Sequence, residues 1–341
     1  MDPRPSLLDN RLVWDGRPGH YEVWYLKLNL PELGRAFWLR YTLLAPARGQ
    51  GAPCGQLWAV GFDAHDPSRN EAFRETFALG PRTFGHQTPG LLLRLGEAEL
   101  RQDGCSGSLG DGGREHGLSW DLRFTPDGPS LRHFPRPLYR LPLPRTKLLA
   151  PYPSMRLTGF VRWQGKLHRL TAVPGHQAHL WGSEHAERWA WAHCNLFSTG
   201  TPALCEALAA RVRLGSGVSP DLTLAWLRVD GQTYRFDRPD RWLRQRSRYD
   251  LAGWELVAQQ AGYRLEARIT NRLANVVAVT YRDPDGSTRV CHNSKLADLA
   301  LELSQRHGGG WVSRHRLDGP GCCAFEVVQR DADPRVPLLL P

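Results

Sequence analysis

Tyr21-Glu22-Val23-Trp24-Tyr25-Leu26-Lys27-Leu28-Asn29 changes side-chain type residue by residue. That is the period of a strand, whose successive side chains point to opposite faces. A turn over Pro31–Gly34 follows, and then a second run, Ala36-Phe37-Trp38-Leu39-Arg40-Tyr41-Thr42-Leu43-Leu44. The pair reads as a hairpin with aromatic residues on both faces, and Leu57-Trp58-Ala59-Val60-Gly61-Phe62-Asp63 reads as a third strand.

The same grammar recurs along the chain. Met155–Trp163 and Lys166–Leu170 flank Gln164-Gly165, Trp226–Val229 and Thr233–Phe236 flank Asp230-Gly231, and Val277–Tyr281 and Thr288–Cys291 flank Asp283-Pro284-Asp285-Gly286. Strand, Asp/Gly turn, strand units in both halves predict a β-meander in each. Gly104–Gly117 reads as a loop or hairpin end before a strand at Leu118–Phe124, and the proline-rich Phe134–Pro153 as an extended surface connection. Thr201–Ala210 and Ser294–Leu303 are the only helix candidates.

A length of 341 residues favours two domains. Thirteen Trp point to thick cores or stacking cavities. The formal net charge of +10, from 44 Lys+Arg against 34 Asp+Glu, is scattered along the chain. Its densest cluster, Arg241–Arg248, reads as a solvated strand edge, so no specific nucleic-acid partner is expected; an anionic membrane surface stays open as a peripheral partner. Seven Cys without paired spacing, a polar start at Met1-Asp2-Pro3-Arg4-Pro5 and no long apolar run point to a reduced, cytoplasmic protein.

The segment Pro174–Phe197 concentrates four His, three Trp and two Glu. A metal reading is weakened because His176 and His179, three apart on a strand, face opposite ways, and no Cys pair completes a zinc pattern. Two readings remain for this stretch. In one, a His or Glu is a proton donor inside an apolar pocket. In the other, Trp181, Trp189 and Trp191 are core, and His179 and Asn195 satisfy backbone groups where two domains meet. Nucleotide loops, a GxSxG elbow and a His-activated thiol at Cys194 find no support.

His179-Leu180-Trp181-Gly182 followed by Trp189-Ala190-Trp191, with Gly19–Tyr25, Phe37–Thr42 and Leu57-Trp58, resembles the lipocalin-like superfamily of carotenoid 1,2-hydratases, AttH-like proteins and tocopherol cyclases. The resemblance implies an all-β fold of two lipocalin-like antiparallel β-barrels or half-barrels packed side by side, spanning 1–198 and 199–341, with few short helices. It also implies an apolar cavity between or within them. Relatives hydrate isoprenoid double bonds, close a chromanol ring or fold polyenes. The chain departs from the hydratase pattern, which places Asn where Leu180 stands, sometimes with an Asp where Ala178 stands.

The enzyme reading is proton-initiated hydration or cyclisation of an isoprenoid- or quinone-type molecule, without cofactor or metal. Its proton donors would be Glu184 or His179, then Glu22 and His185. The ligand would contact Trp24, Trp38, Tyr41, Trp58, Trp181, Trp189, Trp191 and Asn195. The alternative is a non-catalytic carrier of a lipid or pigment, the small apolar ligand again being the partner. A third is a protein whose basic face acts on anionic headgroups.

Overall fold

The computed structural model describes residues 7–84 and 90–341. The polar start at Met1–Pro5 lies outside the described residues. The first part of the chain contributes β1 (His20–Leu30), β2 (Arg35–Ala45), β3 (Cys54–Asp63) and β4 (Glu71–Ala78). Short strands follow at β5 (Leu91–Leu95), β6 (Ala98–Arg101) and β7 (Gly104–Gly110), then β8 (Gly117–Pro126) and β9 (Leu131–Arg132). A long hairpin, β10 (Thr146–Trp163) and β11 (Lys166–Gly182), closes the set. The sheet order is β4-β3-β2-β1-β11-β10-β8-β7-β6-β5, with β9 beside β10.

The second part repeats this plan. It opens with β12 (Arg188–Cys194) and β13 (Ala203–Arg211), adds a small ribbon of β14 (Arg213–Leu214) and β15 (Gly217–Val218), and continues with β16 (Leu222–Val229) and β17 (Gln232–Phe236). Then come β18 (Arg246–Asp250), β19 (Gly253–Gln260), β20 (Tyr263–Thr270) and β21 (Val277–Arg282). The long hairpin β22 (Thr288–His307) and β23 (Gly310–Gln329) precedes a short β24 (Leu338–Leu340). Its order is β17-β16-β13-β12-β23-β22-β20-β19-β18, with β21 and β24 attached to β22. In both sheets a long hairpin returns its last strand to pair with the first strand of the set.

Each sheet curls around its own core. In the first, Trp163 of β10 reaches across to cover Gly61 of β3, four places away in the strand order. In the second, Tyr234 of β17 meets Tyr263 of β20 edge-on at 4.8 Å. Trp24, Leu26 and Leu28 point into the first interior, and Ala190, Ala192 and Cys194 into the second. A third core lies between the sheets, drawn from the other faces of the same strands: Tyr21, Val23 and Tyr25 of β1 and Trp191 of β12. β1 is therefore buried on both faces, which explains why its polar positions Glu22, Lys27 and Asn29 carry partners. Lys27 donates to Asn29 Oδ1 at 3.2 Å, and to Asn195 Oδ1 and the Cys322 carbonyl at 3.3 Å, tying the sheets together.

The all-β architecture with two antiparallel sheets is as the sequence pattern predicts, and so are the hairpins about Gln164-Gly165, Asp230-Gly231 and Asp283–Gly286. Four expectations are corrected. Ala203–Ala210 lies in β13 and Ser294–Leu303 in β22, because each segment hydrogen-bonds a neighbouring strand along both edges, which overrides helix propensity. Among the described residues no helix exceeds four residues, and none is long and apolar enough to cross a membrane. Gly104–Gly110 is a strand, its glycines admitting neighbours: a Cβ on Gly107 would sit 2.4 Å from the Trp120 ring. The proline-rich stretch is only partly a connection, since Pro151 and Pro153 sit in β10 between shifts in its register with β11.

The fourth concerns the seam. The first sheet closes through β11 alone, and the chain changes sheet within 183–187, ahead of the expected 198/199 boundary. The cause is pairing: Trp189–His193 bonds to Ala324–Val328 of β23.

Gly61→Ala tests the curl of the first sheet. Its Cβ would stand 2.6 Å from Trp163 Cε2, so a loss of about 1–3 kcal/mol in urea unfolding is expected. An unchanged midpoint would show that Trp163 does not seal this sheet.

Candidate functional site

Between the sheets lies a cavity of about 350 Å³, within the range that holds a small organic ligand. Strand alternation builds its walls. Tyr25 of β1 is paired with Arg40 of β2, so the two share a face, and Trp38, two residues on, joins them. From the other side Trp189 and Trp191 of β12, Tyr281 of β21 and Glu326 of β23 complete the wall, while Glu184 and His185 enter from the sheet-changing loop.

His185 is the best-positioned acid–base group here. Its backbone N–H donates to Asp283 Oδ1 at 3.0 Å, and its Nδ1 lies 2.6 Å from the same oxygen. The imidazole is stacked between Tyr21, at 4.2 Å and 11°, and Trp189, at 5.5 Å and 6°. Both His185 and Asp283 are buried. Nε2 has no hydrogen-bond partner among the described residues. A carboxylate on Nδ1 fixes the tautomer and the ring orientation, leaving Nε2 as the nitrogen available for proton exchange.

Two further polar groups line the cavity. Arg40 donates through Nε to Thr42 Oγ1 at 2.9 Å and makes no carboxylate ion pair among the described residues. Its guanidinium instead lies 4.1 Å from the Tyr281 ring centre and 4.9 Å from that of Trp58. Glu326 accepts from the buried Lys295 at 2.7 Å, and Lys295 stands 5.5 Å from the Trp38 ring and 5.7 Å from the Trp191 ring. Burial pushes the phenols of Tyr25 and Tyr281 well above their ordinary range, so both stay neutral donors.

The structure does not bring the residues singled out by sequence to one place. Glu184, His185, Trp38, Trp189 and Trp191 line the cavity. Glu184 sits in an ion-pair network with Arg145 and with Arg213 at 3.1 Å. Glu22 and His179 are brought together, 2.9 Å apart, but on the opposite faces of β1 and β11, inside the first sheet. There His179 stacks on Trp24 at 4.6 Å and meets Trp181 at 4.7 Å with the rings tilted by 37°. Glu22 also accepts from the backbone of Val13 at 2.7 Å and Trp14 at 2.8 Å, anchoring the amino-terminal segment. Tyr41 belongs to the first core, donating to the Ser106 carbonyl at 2.7 Å. Trp58 packs under Arg40 and Arg74, and Asn195 joins Lys27 to the Gly175 carbonyl.

Sequence reading passed over Tyr25, Arg40, Tyr281, Asp283 and Glu326. Arg40 and Glu326 did carry a signal, each being a lone charge in an apolar strand. Asp283 was read only as a turn residue.

A separate polar knot lies behind Trp191. His176, His193, His133 and Glu206 are all fully buried. Burial pushes His176 down to about 3 and His193 well below its ordinary value, so both imidazoles are neutral. Several polar atoms of this knot have no hydrogen-bond partner among the described residues, each a cost of about 1–3 kcal/mol unless something else satisfies it.

With the geometry in place, comparison adds kinship. The tocopherol cyclase-like family model matches residues 153–326, the span that holds His185, Asp283 and Glu326 but not Trp38 or Arg40. An uncharacterized protein of Mycobacterium tuberculosis is 28% identical over 297 residues, covering 86% of this chain and 84% of that protein. A probable tocopherol cyclase, chloroplastic, of Oryza sativa subsp. japonica is 25% identical over 177 residues, which is 50% of this chain and 37% of the rice protein. Two solved structures share the fold. One is an AttH-designated protein of Nitrosomonas europaea, with TM-score 0.56, 14% identity and 92% and 93% of the two chains covered. The other is kievitone hydratase of Nectria haematococca, with TM-score 0.53, 10% identity and coverage of 96% and 97%.

The Glu22–His179 pair predicts a pH signature. Burial pushes the Glu22 carboxyl up, but hydrogen bonds from His179 and His20 outweigh it, so the group titrates below its ordinary 4.5. Its stabilisation is thus present above that value and fades as pH falls through the lower, folded one. Glu22→Gln is expected to cost about 1–3 kcal/mol at pH 7. The deficit relative to the parent should shrink on acidification in pH-dependent urea titrations. A pH-independent deficit would contradict the assignment.

Proposed function

The chain belongs to the tocopherol cyclase-like family, and on that premise we propose that it binds an apolar isoprenoid- or quinone-type molecule between its two sheets and catalyses proton-initiated hydration or cyclisation of it. The observation that carries this reading is the His185–Asp283 pair set into the wall of an aromatic cavity. The family membership supports the reaction class.

In the protonated form that the reaction requires, His185, oriented by Asp283, transfers its Nε2 proton to one carbon of a trisubstituted double bond. The π electrons form the new C–H bond and leave a tertiary cation on the neighbouring carbon. The faces of Trp189 and Trp38 stabilise that cation, by about 1–2 kcal/mol per ring in a dry site. Water, or a hydroxyl of the substrate itself, then adds to the cation. The oxygen's surplus proton returns to His185 Nε2, which restores the catalyst. Addition of water gives an alcohol, and capture by the substrate's own hydroxyl gives a ring. Arg40, whose Nη groups meet no carboxylate among the described residues, suits an oxygen-bearing ligand head, with the tail lying against Leu180, Leu208 and Leu224.

The test uses the purified protein with a prenylated benzoquinol and with a linear isoprenoid alkene, products being read by mass spectrometry. Hydration adds the mass of one water, and cyclisation leaves the mass unchanged. His185→Ala and Asp283→Asn are expected to lower kcat by roughly 100-fold or more while Kd changes little. Trp189→Ala should instead raise Kd. Turnover that survives both changes at His185 and Asp283 would refute the acid–base assignment. Binding by the parent protein without turnover would favour a carrier.

A further inference from the structure

The knot behind Trp191 is built from both sheets. His176 comes from β11 of the first, while His193 of β12 and Glu206 of β13 are directly paired residues in the second. The rings of His176 and His193 are centred 4.0 Å apart. His176 Nε2 stands 3.9 Å from Glu206 Oε2. One ligand-type atom from each of the three residues lies within 4.8 Å of the others, and all three side chains are fully buried.

The hydrogen bonds around these residues leave particular atoms open. His193 uses Nε2 on the Pro153 carbonyl at 2.8 Å, so its N–H is there and its Nδ1 carries a lone pair with no partner. Glu206 takes His133 Nε2 at 2.7 Å and Trp191 Nε1 at 2.9 Å on Oε1, while Oε2 has no hydrogen bond. Among the described residues His176 has a hydrogen-bond partner on neither ring nitrogen. An imidazole whose far N–H bonds a carbonyl, and a carboxylate whose far oxygen is held by two donors, are the outer-shell arrangements that orient metal ligands.

We propose that His176, His193 and Glu206 form a binding site for a divalent first-row transition cation that clamps the two sheets together. Two imidazoles and one carboxylate suit Zn²⁺ and its neighbours in the row. Ca²⁺ and Mg²⁺ prefer all-oxygen shells. The cation would satisfy three buried atoms at once and neutralise a carboxylate that, among the described residues, forms no ion pair with Lys or Arg. It would also fix Trp191, which donates to Glu206 and presents its ring to the apolar cavity. This inference is independent of the reaction proposed for His185.

Full-length protein is produced in medium supplemented with Zn²⁺, and separately with Co²⁺, and its metal content is measured by inductively coupled plasma mass spectrometry. About one equivalent per chain is expected, with visible d–d bands in the Co²⁺ form. His176→Ala and Glu206→Gln should lose it, and His307→Ala, a change at an exposed histidine, should keep it. Because the cation binds only the assembled sheets, reloading stripped protein with Zn²⁺ should raise Tm. Should the site variants fail to fold, anomalous diffraction at the metal edge on the parent protein decides, a peak among the three side chains being expected. Folded parent protein without metal in both media, or a peak elsewhere, overturns the proposal. So do folded variants that retain the full equivalent.

Discussion

Everything in this molecule depends on the double burial of β1. A strand buried on one face sends its alternate residues to solvent, but β1 sends Glu22, Trp24 and Leu26 into the first sheet's interior, and Tyr21, Val23 and Tyr25 against the second sheet. Period two thus becomes a partition between two interiors. The same partition runs through β11, where His179 faces inward and His176 faces the partner sheet. Polar residues on such strands need fixed partners, because no water is available to satisfy them. Lys27, Glu22 and His179 all obey this rule.

The partition also assigns different work to neighbouring residues. Inside the first sheet, the Glu22–His179 pair is saturated with backbone donors and stacked aromatics, an arrangement that holds the segment before β1 in place. Between the sheets the polar groups are left partly unengaged: one nitrogen of His185, the Nη groups of Arg40, and the open atoms of the His176–Glu206 knot. Saturation marks architecture, and engagement left open marks capacity for a ligand.

Much of this was legible in the sequence. Alternation at Tyr21–Asn29 and Ala36–Leu44 and the Asp-Gly turns gave the strands and hairpins, and the clustering of His and Trp in 174–197 marked the seam. Alternation identifies two faces, but it does not say which of two buried faces meets the partner sheet. Glu22 and His179 were therefore grouped with His185 and Glu184, although β1 and β11 separate them. Asp283 was hidden because a turn Asp explains itself locally, while its bond to His185 spans 98 residues. Helix propensity misled at Thr201–Ala210 and Ser294–Leu303, where pairing on both edges decided the conformation. Gly104–Gly110 gave no strand signal because its small residues admit the Trp120 ring, a constraint visible only once β8 lies beside it.

The central claim is that the space between the sheets, beside His185, is where the ligand goes. Crystals soaked with a prenylated benzoquinol that lacks the reactive double bond would test it most directly. Difference density along Trp189 and Trp38, with the ring end near Arg40 and the tail within reach of His185 Nε2, is the result this account predicts. Density inside the first sheet against Trp24 and the Glu22–His179 pair, with the inter-sheet cavity unchanged, would contradict it.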